Sequence, residues 1–520
     1  MKRKLLKSLK ITLFVLSFLI LIIATGVFWP MSNITPPEKR HTVLVKSINV
    51  IDIKTGNVLA RRNVLIQESV ITAIDSLEIL VDDANALLID GTDKYLIPGL
   101  WDMHTHSNQH SPWLHHPLYI ANGITGIRDM SGQLNQKDSY WVGSRERLKW
   151  NAELDAYKRV TPRYVLQSSY QIDGPASVPD GFADFFKLEN PEQVDSLLQF
   201  YKNEHVDFIK IYQQIPVASY RKLAKSAKNY GLHIAGHKPM FLSLEEAIHL
   251  GQRSFEHGRI FLFESFPEAD SLKHPQNWKG NFSKYKRRLI TEYDPKIARK
   301  LMQLMQSKNA YWVPTLQTLK FEALAHDKNF LSNPNLKYIS KIRKKLWWGM
   351  DVKNNAKRNN AEATKGVSQD FYDTAMQQVK LANNLGVPIM TGTDVTDSYT
   401  FAGFSLHDEL IDLTKSGLTN LEALQSATII PAQYAGKDDF FGSIDQQKVA
   451  DLVLLNHNPL ENIAHSSDIY GVLINGLYYD SEKIADLKNV AESSASSFHM
   501  NMKVLFSFVH SPLIRVQFAD

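Results

Sequence analysis

Three observations predict an α/β fold for this chain, a (β/α)8 TIM barrel inserted in a small β-sandwich domain and preceded by one N-terminal transmembrane helix. Short apolar strands alternate with amphipathic helices between residues 95 and 437. Strand-like runs flank that region, at 42–90 and again from about residue 440. Ahead of them lies an uncharged apolar stretch, residues 11–29. With 520 residues, 44% of them hydrophobic and 22% charged, the chain can bury a large core, and its composition is that of a globular protein.

The stretch 11–29, ITLFVLSFLILIIATGVFW, is long enough at about 1.5 Å per residue to cross a hydrocarbon layer about 30 Å thick. Lys2, Arg3, Lys4, Lys7 and Lys10 precede it and should remain cytoplasmic. Residues 1–36 therefore read as a basic tip, a signal-anchor and a linker, with the catalytic region extracytoplasmic, in periplasm or extracellular space. Secretion after cleavage near Ala24, Thr25 and Gly26 is the alternative. The five cations match the whole formal net charge of +5, so the remainder is neutral. That excludes an extended nucleic-acid groove, which draws its affinity from clustered Lys and Arg. The basic runs 284–288 and 341–345 then read as solvated helix faces. Cysteine is absent, which excludes disulfides, thiolate metal sites and cysteine nucleophiles; any metal must bind through His, Asp, Glu or a modified side chain.

Residues 37–94, with TVLVKSINVIDI, NVLARRNVLI and ALLID, form the first part of the sandwich. Residues 438–490, with VADLVLL and IYGVLINGLYYD, form the second part, and 491–520 is a tail without assignment. Between them the barrel, 95–437, has eight predicted strands at 96–106, 124–129, 163–168, 206–212, 232–237, 253–257, 311–316 and 387–394. Gly231 and Gly251 are placed to stop helices between strands. The polar segment 317–367 is long for a loop and reads as a helical lid. Specificity is expected from this segment and from the loops 130–160 and 169–190.

A barrel of this kind carries its chemistry at the C-terminal strand ends. His104 and His106 lie two apart in a strand, so both imidazoles face the same side. Lys210 in DFIKIY, His237 in HIAGHKP, His257 in SFEHG and Asp394 in MTGTD end four further strands. Each residue alone has an ordinary structural reading, such as a carbonyl-bonded His or a helix-capping Asp. Together, His donors and one carboxylate make a set that suits divalent metal. An ammonium would repel such an ion, but carbamylation by CO2 would turn Lys210 into a carboxylate-like bridge between two ions. A Schiff-base lysine is the competing chemistry. His110, His115 and His116 read as surface loop residues. Tyr212, Arg128 and Lys238 are the candidate substrate-binding residues.

The motifs LIPGLWDMHTH, GITGIRDM, DFIKIY, GLHIAGHKP, RSFEHG and GTD resemble the amidohydrolase superfamily, in particular its imidazolonepropionase-like and prolidase-like branch. GFSLHDELIDLTKSGLTNLEALQSATIIPAQYAG and FGSIDQQKVADLVLLNHNPLENI extend the resemblance over residues 42–485. It implies one or two divalent ions, usually zinc, with His104, His106 and Asp394 on the more buried ion, His237 and His257 on the second, and a carbamylated Lys210 between them. Asp394 is then also the proton carrier. The chain departs from the family after His237, where Lys238 and Pro239 replace an HAH or HAY context; Tyr212 could supply the missing polar contact.

The function expected is metal-dependent hydrolysis of an amide C–N bond other than an ordinary polypeptide bond, with a dipeptide or N-acyl amino acid as the small-molecule substrate. An esterase or lactonase on the same site, or a non-catalytic metal-retaining binding protein, are the alternatives. The membrane, through the N-terminal helix, is the other expected partner, and a homo-oligomer is compatible with the sequence.

Overall fold

The computed structural model describes residues 2–131, 138–175, 187–274, 282–362 and 364–511. Within the specificity loops, 132–137 and 176–186 lie outside the described residues, as does 512–520 of the tail. An N-terminal helix, Lys2–Phe28, contains a 24-residue apolar span, Leu5–Phe28, of mean hydropathy 2.7, long enough to cross a membrane.

After it come β1 (Thr42–Ile51), β2 (Val58–Gln67), β3 (Val70–Asp75), β4 (Leu87–Asp90) and β5 (Tyr95–Pro98). β1, β2 and β3 form an antiparallel meander. Residues 43–46 of β1 also pair parallel with β4, and Asn49 and Val50 pair with β5. Register shifts around Ile48, next to Ser47 at φ 56°, bend the strand between the two pairings.

Seven parallel strands follow. β6 (Leu100–Thr105), β7 (Ile124–Asp129) and β8 (Arg163–Gln167) form one sheet. β9 (Phe208–Ile211), β10 (His233–Gly236), β11 (Ser254–Glu256) and β12 (Tyr311–Val313) form another. Nearly every residue in them is buried, as parallel strands covered by helices require. Ser168 bridges to Phe208, which joins the two sheets on one side. On the other side the segment 387–395 touches both: Ile389 bridges to Trp312, and Val395 to Thr105. This segment was predicted as a full strand over 387–394, but it holds its neighbours through two isolated bridges and a bond from the Met103 N–H to the Thr391 carbonyl at 2.9 Å rather than a continuous ladder. Asp394 stands at φ 61°, outside the extended range, and that breaks the ladder. Gly392 lets the segment approach, since a Cβ there would lie 2.8 Å from His104 Cβ and 2.6 Å from a Val313 methyl.

The chain then returns to the first sheet with β13 (Leu452–Leu455), β14 (Ile469–Ile474) and β15 (Leu477–Tyr479). β13 pairs antiparallel with β5, giving the order β15-β14-β13-β5-β1-β2-β3 with β4 on β1. The expected sandwich is thus one connected sheet of eight strands, curled at the β1 bend around Val45, Ile66, Leu96 and Leu454.

Two further regions bear on the expectations. The lid segment is helical, with helices Leu316–Leu324 and Gly349–Asn360 and a π-turn at Lys344–Trp348. Its basic run is only partly solvated, since Lys341 and Lys345 are exposed but Arg343 is buried; in the other run Lys286 is buried against Glu322. The tail forms a C-terminal helix, Phe498–His510, seated on the end of the N-terminal helix. Lys503 Nζ donates to the Val27 carbonyl at 2.6 Å, and Phe28 packs edge-on against Phe506.

Candidate metal centre

Five of the predicted residues lie at the C-terminal ends of the parallel strands, and Asp394 joins them from the segment 387–395. His104 is in β6 and His106 just beyond it; Lys210 is in β9; His237 and His257 directly follow β10 and β11. Three backbone features aim them. His257 (φ 73°) and Asp394 (φ 61°) are left-handed, so each turns its side chain back across the strand ends. Gly236 (φ 123°), before His237, sits where a Cβ would come within 2.4 Å of the Ile211 carbonyl oxygen.

Asp394 Oδ1 lies 2.9 Å from His106 Nε2 and 3.3 Å from His104 Nε2, and Oδ2 lies 3.6 Å from His257 Nδ1. His257 Nε2 in turn meets His237 Nε2 at 2.9 Å. Donor atoms of His104, His257 and Asp394 fall within 4.8 Å of one another, the reach of a single cation. His104 Nε2 is buried and has no hydrogen-bond partner. Burial holds the His106 imidazole down at about 4 and His257 at about 3, and pushes His237 well below its ordinary value, so these rings are neutral donors. Burial alone would raise Asp394; His104, His106 and His257 outweigh it and keep the carboxyl well below the usual range. The residues therefore fit a divalent metal of hard-to-borderline type.

Lys210 is 2% exposed, and burial lowers its ammonium to about 8. A neutral amine, the form that reacts with CO2, is thus accessible near neutral pH.

Sequence reasoning missed Glu256, the residue beneath the site. His104 Nδ1 lies 2.9 Å from Glu256 Oε2, which fixes the ring so that Nε2 faces the centre. Both Glu256 oxygens accept from Arg128 Nη2, at 2.9 and 2.8 Å, and Ser254 donates at 2.7 Å. The signal available was a carboxylate one residue before His257, in a strand buried throughout. Arg128 is accordingly no substrate contact: it is 0% exposed and its charge is spent on Glu256. Lys238 is also occupied, paired with Glu264 and donating to the Leu242 carbonyl at 2.6 Å. Tyr212 lies beside the site, its ring 4.1 Å from that of His237. The expected surface histidines are buried instead: His116 bonds the Tyr164 hydroxyl, His110 the Ser507 hydroxyl and His115 the Ser111 hydroxyl.

A cavity of about 130 Å3 opens on this side, lined by Gln213, His237, Lys238, His257, Arg259 and Phe263. Two of its lining residues, His237 and His257, belong to the donor set.

The sequence model of the amidohydrolase family matches residues 189–477, more than half of the chain. The chain belongs to the amidohydrolase family. This family is generally metal-dependent and hydrolytic, which agrees with the donor set. No curated protein matches the sequence. Among solved structures, the amidohydrolase fold is shared with a bottromycin amidohydrolase at TM-score 0.68 and 20% identity, covering 88% of this chain and 91% of that one. It is also shared with a Xaa-Pro dipeptidase at TM-score 0.59 and 20% identity, covering 85% and 100%. An ochratoxinase of A. niger is similar at TM-score 0.57 and 16% identity, covering 86% and 97%.

Proposed function

We propose that this amidohydrolase cleaves a C–N amide bond in a small molecule, a dipeptide or an N-acyl amino acid, from a position outside the cytoplasm. The observation that carries the reading is the convergence of His104, His257 and Asp394 donors within 4.8 Å, with an unpartnered His104 Nε2 already turned toward the same point. His104, His106 and Asp394 would hold one ion, and His237 and His257 a second, with carbamylated Lys210 between them. Zinc fits this set. The bound metal supplies Lewis acidity and makes water acidic enough to lose a proton near neutral pH.

The remaining steps belong to side chains. Asp394 accepts the proton of the attacking water at a carboxylate oxygen and delivers it to the leaving nitrogen. Glu256 keeps His104 in one tautomer and Arg128 keeps Glu256 ionised. Tyr212 lies within reach of a carbonyl held over His237. The eight strand segments, joined by the bridges at Ser168, Ile389 and Val395, close as one barrel inserted in the β1 to β5 and β13 to β15 domain. The N-terminal helix acts as a single-pass anchor.

Elemental analysis of untagged full-length protein, beside the Asp394→Asn variant, tests the reading. One or two equivalents of zinc are expected in the wild type, with turnover lost at least about a hundredfold in Asp394→Asn while the protein stays folded. A metal-free wild type under metal-replete conditions, or an active Asp394→Asn, overturns it.

A further inference from the structure

We propose that the C-terminal helix, Phe498–His510, lies in the extracytoplasmic interface of the bilayer, beside the end of the N-terminal span, with one apolar face against lipid. This goes beyond the hydrolase reading and rests only on the single-pass anchor stated with it.

The helix is apolar on two opposite sides. Met500, Val504 and Phe508, with Asn501 and Ser507, are buried against the body. Phe498, Met502, Leu505, Phe506 and Val509 follow one another at helical spacing and, at about 3.6 residues per turn, form a stripe half a turn away from the buried set. Phe498 is 49% and Val509 58% exposed, and the other three are half-buried. A surface helix in water turns polar residues outward, so an apolar outer stripe calls for a second apolar surrounding.

The N-terminal helix identifies that surrounding. A Cβ on Gly26 would lie 2.7 Å from the Met502 side chain and 2.8 Å from Phe498, and the rings of Phe28 and Phe506 meet edge-on at 6.0 Å. Gly26 and Phe28 belong to the apolar span Leu5–Phe28. A helix seated on the last turn of a spanning helix lies where hydrocarbon gives way to headgroups. Trp29, 58% exposed and stacked on His499, is the residue type that settles at this depth. Lys503, on the flank of the stripe, donates to the Val27 carbonyl and so satisfies a group that the end of the span leaves free.

The buried side of the helix orients the body. Phe508 stacks on Tyr140 with ring centroids 5.0 Å apart, Ser507 Oγ lies 3.0 Å from His110 Nε2, and Asn501 Oδ1 accepts from the Ile342 N–H of the lid at 3.1 Å. His110 and Tyr140 stand in the loops after β6 and β7, and Trp141 has its ring 6.3 Å from that of His106. The membrane is therefore on the side of the strand ends that carry the metal donors.

The chain has no cysteine, so single sites can be labelled. Full-length protein with a nitroxide on Phe498→Cys or Val509→Cys is placed in phosphatidylcholine nanodiscs. Electron paramagnetic resonance then compares collisions with oxygen, which concentrates in lipid, and with a water-soluble nickel chelate. Leu16→Cys, in the span, and Lys225→Cys, exposed on the helix after β9, are the lipid and water references. The oxygen-to-nickel ratio at both helix sites should exceed that of Lys225→Cys at least about threefold. Ratios equal to that reference overturn the proposal, as does protection from both reagents, which puts a second copy of the chain on the stripe. Lipid contact at Leu16→Cys with water contact at both helix sites removes the interfacial helix and leaves the anchor; lipid contact at the helix sites alone does the reverse. Near-UV circular dichroism and zinc content check that each labelled protein is folded.

Discussion

Glu256 ties the metal centre to the stability of the barrel interior. Burial would raise its carboxyl, but Arg128 and His104 bring it down to about 2 from an ordinary 4.5. A depressed carboxyl contributes stability above its unfolded value, and that contribution is lost as pH falls from about 4.5 toward 2. Glu256→Gln should therefore lower stability at pH 7 by about 3–5 kcal/mol, because Arg128 stays buried without a counter-ion. What Arg128 loses is its counter-ion, since it still donates to the Met103 carbonyl and the Ser254 and Tyr434 hydroxyls. The substitution should also flatten the acid limb of the stability profile. Urea unfolding of both proteins at several pH values checks both outcomes, and parallel acid limbs would separate Glu256 from the effect. Lys210→Ala should lower zinc content, with partial recovery on adding a small carboxylic acid; unchanged content would remove the carbamate. His104, His106 and the other strand-end ligands were legible in the sequence, because a histidine or carboxylate closing an apolar strand is conspicuous. Arg128 was misread, since nothing local tells an arginine that meets substrate from one that meets a glutamate far along the chain.

The segment 387–395 shows how an element positions chemistry. Its glycine approaches β6 so closely that Gly392→Ala would press on His104 and Val313, moving Asp394 away from the imidazoles. Zinc content and activity should fall far more than far-UV circular dichroism, which reports the helices; full zinc retention would mean the segment adjusts elsewhere. The predicted strand 387–394 was right in position and wrong in regularity. A short apolar run such as Val387 to Met390 marks where a chain runs extended, whereas the left-handed turn at Asp394 depends on what the strand must reach. The lid was recognised as helical from its composition, yet the burial of Arg343 could not be read from a run of five mostly basic residues.

The two ends of the described chain meet, far apart as they are in sequence. A Cβ on Gly26 would lie 2.7 Å from the Met502 side chain, and Trp29 stacks on His499 with ring centroids 6.1 Å apart. Removing residues 1–36 should expose Met502 and Phe506 of the C-terminal helix and cause self-association without detergent. Light scattering after size exclusion checks this; a monodisperse monomer would show that the helix face tolerates water. The sequence by itself determined the strand and helix order, the apolar N-terminal span, the family and the strand-end donors, because these depend on local periodicity and on residue types met in order. Only the tertiary structure decided that the flanking strands join in one curled sheet, that Glu256 and Arg128 support His104, and that the tail packs on the N-terminal helix. Those are contacts between residues from about 20 to several hundred positions apart, and burial and charge pairing at that range are fixed by the folded chain as a whole.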